Sequence, residues 1–265
     1  YKGITVVSER NILFPPKKGK AKRKLMIFIK TLLYKKANWV TAVSKGVAIE
    51  CKDILGVPSS RIRVVHNPIV NTTLLDGARE KVEHPFFNQF DQIILAAGRF
   101  EWQKDYDTLL KAFQKVTQIN NNVGLFILGK GPLESHYRAM VSEMQLDNKV
   151  CFAGFDKNPF KYMATADIYV LSSRHEGMPG TLVQALACGA ACVSTDCPTG
   201  PNELITDGEN GYLVDMEDDT AMSERILHLL ENYDLRSKFS IAASKAVQLY
   251  TEENGVQSYF DFLEK

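Results

Sequence analysis

The chain of 265 residues is short of the features that mark several large protein classes. It has five cysteines, Cys51, Cys151, Cys188, Cys192 and Cys197, and no CxxC pair among them. An odd count without a framework excludes a disulfide scaffold and reads as reduced, core-lining thiols in a cytosolic protein. No apolar run approaches the roughly 20 residues that cross a bilayer. The five histidines are dispersed, so no metal-ligand cluster is visible and no metal is expected. The formal net charge is only +1, which argues against a global field for nucleic acid. There is no signal-peptide pattern, and Tyr1 does not read as the natural start.

Acidic residues are missing from one stretch altogether. Between Asn11 and Ile49 there are ten Lys or Arg and no Asp or Glu, so the remainder is acidic overall. Lys17 to Lys24 precede an apolar segment running to Tyr34-Lys35-Lys36. Two readings stay open for residues 17–36. One is an ordinary domain helix with solvated lysines. The other is a helix lying on an anionic membrane surface or gripping the diphosphate of a polyprenyl lipid. Nucleic acid fits neither, because no aromatics are interleaved with the charges.

What is present is regular. Apolar runs at Gln92–Ala97, Val123–Leu128, Lys149–Ala153, Asp167–Leu171, Ala190–Ser194 and Gly211–Val214 read as buried parallel strands. Helical patterns separate most of them, at Asp107–Thr117, Leu133–Met144, Asn158–Ala164, Thr181–Cys188 and Asp219–Asn232. That alternation predicts an α/β, doubly wound sheet. Upstream, strands are expected at Ile4–Val7, Asn38–Val43 and Ile62–Val65, with helices at Lys22–Lys36 and Lys45–Leu55. His66-Asn67-Pro68 reads as a hinge, and 71–89 as a linker or loop.

Three glycine-bearing loops follow three strands at their carboxyl ends, where open α/β sheets bind ligands. They are Gly98-Arg99-Phe100-Glu101-Trp102-Gln103-Lys104, then Gly129-Lys130-Gly131-Pro132, then the loop at Glu176-Gly177-Met178-Pro179-Gly180. Each alone is an ordinary turn. Together they bring Arg99, Lys104, Lys130 and a helix N-terminus to one sheet edge, which suits a pyrophosphate.

These motifs, with Cys197-Pro198-Thr199-Gly200-Pro201-Asn202-Glu203, Asp207–Gly211 and Ala42-Val43-Ser44-Lys45-Gly46 upstream, resemble the retaining group 1 glycosyltransferases of family four. The resemblance covers nearly the whole chain and implies the GT-B fold. It divides the chain into 1–68, the C-terminal part of an acceptor domain; 69–248, a complete donor domain; and 249–265, a helix returning toward the first. The family's Gly-rich N-terminal loop is missing, so the acceptor domain is expected to be only partly present. The resemblance further implies that Arg99 and Lys104 neutralise the donor diphosphate and that Glu176 lies near the transferred sugar. Donor contacts would come from Gly98, Gly129, Lys130, Gly131, Phe155, Gly177, Met178, Pro179, Gly180, Thr181, Leu182 and Gln184, with backbone N–H groups of Met178 to Leu182 meeting hydroxyls and phosphate. Gln184 departs from the family's second glutamate.

The implied activity is transfer of a hexose or N-acetylhexosamine from a UDP-sugar to a glycan or polyprenyl-linked acceptor. The setting would be polysaccharide synthesis, in the cytoplasm or at the inner face of the cell membrane. The sugar nucleotide is then a substrate and no cofactor is needed. A nucleotide-sugar-binding module or truncated fragment without turnover is the alternative.

Overall fold

The computed structural model describes residues 3–13 and 20–263. Within these, the strands form two separate parallel sheets. The first joins β1 (Val6–Glu9), β2 (Trp39–Ala42) and β3 (Ile62–Val64) in chain order. Its crossovers carry α1 (Lys20–Lys36) and α2 (Lys45–Asp53). Residues 17–19 of the basic segment lie outside the described residues.

The second sheet has six strands. They are β4 (Gln92–Ala97), β5 (Val123–Leu128), β6 (Val150–Gly154), β7 (Ile168–Leu171), β8 (Ala191–Thr195) and β9 (Tyr212–Val214). Their order, β6-β5-β4-β7-β8-β9, is that of a doubly wound sheet that starts in the middle and runs outward in both directions. The strand order reverses between β4 and β7, which opens a crevice at their carboxyl ends.

Burial explains why these strands form where expected. All six residues of β5 are buried, as are all four of β7, so each is a continuous apolar run covered on both faces. One face is covered by α4 (Tyr106–Ile119), with Leu109, Leu110, Phe113 and Val116 fully buried, and by α9 (Asp219–Glu231), with Met222, Ile226 and Leu229. Helices α5 (Glu134–Glu143), α6 (Phe160–Thr165), α7 (Gly180–Ala187) and the short α8 (Pro201–Leu204) fill the remaining connections.

Two expectations need correction, and one helix was not expected. The stretch at 71–89 is not a linker. It holds α3 (Thr72–Ala78), capped where Asn71 Oδ1 accepts the Leu74 N–H at 2.9 Å, and a 3-10 turn at Pro85–Asn88. That turn presses Phe86 and Phe87 on Phe126 of β5 and closes the sheet's other face. The unexpected helix is α10, Tyr233–Ala246, whose mixed polar surface gave it no clear stripe. Second, β1 sits two residues later than its apolar pattern, ending at buried Glu9. Lys30 Nζ donates to that carboxylate at 2.6 Å and Tyr34 Oη at 2.5 Å, so two helix α1 residues compensate a buried charge.

After α10 the chain crosses back. Ile69 and Val70 N–H groups both donate to the Tyr250 carbonyl at 2.9 Å, and Glu252 N–H donates to Val70 O at 2.9 Å. The last helix, α11 (Glu252–Leu263), then lies on the three-stranded unit, where the Phe262 ring meets Trp39 edge-on at 5.7 Å.

Candidate active site

The loop after β4 and the loop after β7 leave neighbouring strands and are tied together at several points. Arg174 is the main tie. Its guanidinium donates to Asp105 Oδ1 at 2.6 Å, to the Trp102 carbonyl at 2.8 Å and to Glu217 at 2.8 Å, and it lies 4.9 Å above the Trp102 ring. Arg174 N–H donates to Gln103 O, Gln103 Nε2 to His175 O, and Ser172 Oγ to Lys104 O. Asp105 itself stands in the left-handed region at φ 48° and caps α4 through Thr108. These bonds fix the two loops as one rigid wall.

Between them lies a cleft of about 310 Å³ lined by Gly98, Arg99, Glu101, Gln103, Lys104, Glu176, Gly177, Met178 and Thr181, with Arg10 and Asn11 on the far side. Seven of the expected residues thus meet there: Gly98, Arg99, Lys104, Glu176, Gly177, Met178 and Thr181. A neighbouring groove of about 510 Å³ shares Gly98 and Arg99 and adds Gly129, Lys130, Gly154, Phe155, Asp156 and Pro159. Its walls are mostly apolar, and Phe155 is 75% exposed, a ring with no packing over it.

Glycine is required at the join. Gly129 has φ +149°, and a Cβ there would sit 1.9 Å from the Gly98 carbonyl oxygen. Gly177 is pressed against the first unit, since a Cβ would lie 2.5 Å from Arg10 O.

The charges in the cleft are partly spent. Lys104 Nζ donates to Glu176 Oε1 at 2.7 Å, and Ser173 Oγ donates to the same oxygen at 2.7 Å. Lys104 is therefore paired rather than an open cation. Arg99 stays 76% exposed, 3.3 Å from Glu101. Thr199 Oγ1 donates to the Glu176 carbonyl, and Ser44 Oγ donates to Gly177 O at 2.7 Å, so both sheets hold this loop. Glu203 takes the N–H groups of Lys45 and Gly46 at 2.9 Å each and ties α8 to the start of α2. His175 is buried beside the cleft but does not line it, and burial lowers its pKa against the pull of Glu176.

Several expected contacts stand elsewhere. Gly131 packs on Phe100, whose backbone N would lie 2.6 Å from a Cβ there. Pro179 has no N–H to offer, and Leu182 donates its own to Pro179 O at 3.0 Å while its side chain is fully buried. Among the described residues no protein acceptor takes the N–H of Gly177 or Met178. Gly180 opens α7 outside the lining, and half-buried Gln184 lies on α7 outside both clefts.

Sequence reasoning missed three things. Arg10 and Asn11 line the cleft from the end of β1, and the polar run Glu9-Arg10-Asn11 closing a strand was the signal for them. Arg174 was missed because its partners are spread over the chain. The chain also holds one Asp-x-Asp, Asp105-Tyr106-Asp107, which the reading for metal ligands passed over. Asp105 is fully buried on Arg174 and Thr108, and Asp107 faces His136 Nε2 at 2.8 Å. The two carboxylates do not converge on a shared site.

Residues 78–246 match the family model described as Glycosyl transferases group 1. The chain belongs to that family. Among curated relatives, N-acetylgalactosamine-N,N'-diacetylbacillosaminyl-diphospho-undecaprenol 4-alpha-N-acetylgalactosaminyltransferase of Campylobacter jejuni is 30% identical over 223 residues, 84% of this chain and 59% of that protein. The lipopolysaccharide 1,6-galactosyltransferase of Escherichia coli is 30% identical over 182 residues, 67% of this chain and 48% of that protein. The chain thus spans about half the length of these relatives. Among solved structures, Anabaena Alr3699/HepE in complex with UDP and glucose superposes at TM-score 0.82 with 18% identity, covering 98% of this chain and 71% of that one. A TarM variant from S. aureus, in complex with fondaparinux, alpha-GlcNAc-glycerol and UDP, gives 0.81 with 21% identity, covering 98% and 50%. The fold of this group 1 glycosyltransferase is the GT-B fold.

Proposed function

We propose that this chain carries the donor site, and part of the acceptor side, of a retaining glycosyltransferase. The reaction moves a hexose or N-acetylhexosamine from a UDP-sugar to a glycan or lipid-linked acceptor in polysaccharide assembly. The observation that carries this is the meeting of Arg99, Lys104, Glu176, Gly177 and Met178 in one cleft at the strand-order reversal, where the N–H groups of Gly177 and Met178 have no acceptor among the described residues. The names of the relatives support the acceptor class, since they act on an undecaprenyl-linked sugar and on lipopolysaccharide. Residues 69–248 would be the donor half, with 1–68 and the returning helix 249–265 on the acceptor side.

In this reading the nucleobase lies in the apolar groove against Phe155, and the diphosphate straddles Arg99. The sugar then sits in the cleft beside Glu176. The acceptor hydroxyl attacks from the face the diphosphate leaves, and a departing phosphate oxygen takes its proton. Cations and oriented N–H groups stabilise the charge as it develops on that phosphate, work for which no metal ion or cofactor is needed. Lys104 holds Glu176 in place and reaches the phosphate from there.

Calorimetry with UDP and GDP tests the donor. Micromolar to submillimolar UDP binding is expected, with Arg99→Gln and Lys104→Met each weakening it roughly tenfold. Indifference to both nucleotides would remove the proposal.

Helix α1 bears on the acceptor. Leu25, Phe28 and Leu33 are each about 60% exposed, beside exposed Lys24, Lys35 and Lys36. This outward apolar stripe with basic ends favours peripheral attachment to an anionic membrane at its cytoplasmic face. Flotation with phosphatidylglycerol vesicles should fall severalfold when Lys20, Lys22, Arg23 and Lys24 are changed to Gln; equal flotation would end the idea.

A further inference from the structure

The charged residues lining the cleft are Arg10, Arg99, Lys104, Glu101 and Glu176. Two of the three cations are already matched. Lys104 is paired with Glu176 at 2.7 Å and Arg99 with Glu101 at 3.3 Å. Arg10 has no ion pair among the described residues. Without it the lining is formally neutral; with it the lining carries one positive charge. A diphosphate brings at least two negative charges into this space, and it gains little from a neutral wall.

Arg10 also sits at a defined end of the site. The groove and the cleft share Gly98 and Arg99, and Arg10 belongs to the cleft alone. It is placed by its backbone, whose carbonyl is packed against Gly177 so closely that only glycine fits there. Ser44 Oγ holds the Gly177 carbonyl from the same three-stranded unit. The side chain itself is exposed.

We infer that Arg10 supplies the uncompensated positive charge for the sugar-bearing phosphate of the donor. It is then a positioning and charge-balancing residue contributed to the donor site by the opposite unit. The inference rests on the donor reading above and adds a specific group to it. A nucleotide with its base in the groove puts its first phosphate at Arg99 and its second one further on, in the cleft that Arg10 lines. The guanidinium meets that second phosphate with paired N–H donors.

The test compares UDP with UMP, which lacks the second phosphate. Calorimetry is run on the unsubstituted protein, Arg10→Gln, Arg10→Lys and Arg99→Gln, with thermal melts to confirm that each is folded. Arg10→Gln should weaken UDP roughly tenfold and UMP by less than about twofold, and Arg10→Lys should restore most of the loss. A structural role for Arg10 would move both nucleotides alike. Unchanged UDP affinity, or equal losses for UDP and UMP, overturns the inference. If Arg99→Gln weakens UDP while Arg10→Gln does not, the donor reading stands and the role of Arg10 falls. If the unsubstituted protein binds no UDP, both fall together. Should Arg10→Gln melt early, Arg10→Met carries the same comparison, because it keeps most of the side chain's reach and removes the charge, and the same split between UDP and UMP is expected of it.

Discussion

The two sheets of this molecule are built on different terms. The six-stranded unit buries β5, β7 and β8 along their whole length and packs one sheet face on its own helices, while the other face belongs to a core shared with the three-stranded unit. The three-stranded unit has strands of three or four residues, and two of the four residues of its first strand are exposed. It depends on what it leans against. Its residues Val40, Val43 and Val47 share a core with Met178 and Leu182 of the larger unit, and α11 returns to lie on Trp39. One unit has a second core made only of its own residues. The other takes order from the contact, and that contact forms the far wall of the cleft.

The contrast can be broken deliberately. Gly129→Ala strikes inside the larger unit, where a Cβ would collide with the Gly98 carbonyl at a left-handed φ. A loss of about 3 kcal/mol or more is expected, read as a lower Tm and loss of UDP binding together. A loss under about 1 kcal/mol would mean that the crevice is softer than its backbone packing implies. Glu203→Ala strikes the junction by removing the acceptor of two α2 N–H groups. About 1 kcal/mol is expected, with faster hydrogen exchange in α2 and unchanged protection in β4 and β5. Uniform exchange changes would contradict the division into two units. Leu32→Ser, on the exposed face of α1, should shift stability by less than about 0.5 kcal/mol in solution. A larger loss would show that this face is covered.

The same contrast decided what could be read in the sequence. Strands β4 and β5 fall on the expected residues and β6 to β9 each begin one residue later, because strands covered along most of their length write themselves as uninterrupted apolar runs. Strand β1 slid by two residues because a buried carboxylate, held by Lys30 and Tyr34, breaks the apolar pattern. Helix α10 was invisible because only Phe239 and Ala243 of its fourteen residues are buried. At the site, glycine loops after strands announced Gly98, Arg99 and Glu176. They could not announce that Lys104 meets Glu176, 72 positions away, or that Arg10 lines the same cleft. Such pairings arise from the arrangement of whole units, which no local window contains.

The crossing at Val70 and Thr251 has a mechanical meaning. Two strands of backbone pass from one unit to the other side by side, bonded to each other where they cross. A body tethered at two adjacent points resists sliding along the other and spinning against it. The crossing therefore fixes the register between the two units beside the ties that Ser44 and Glu203 make near the cleft.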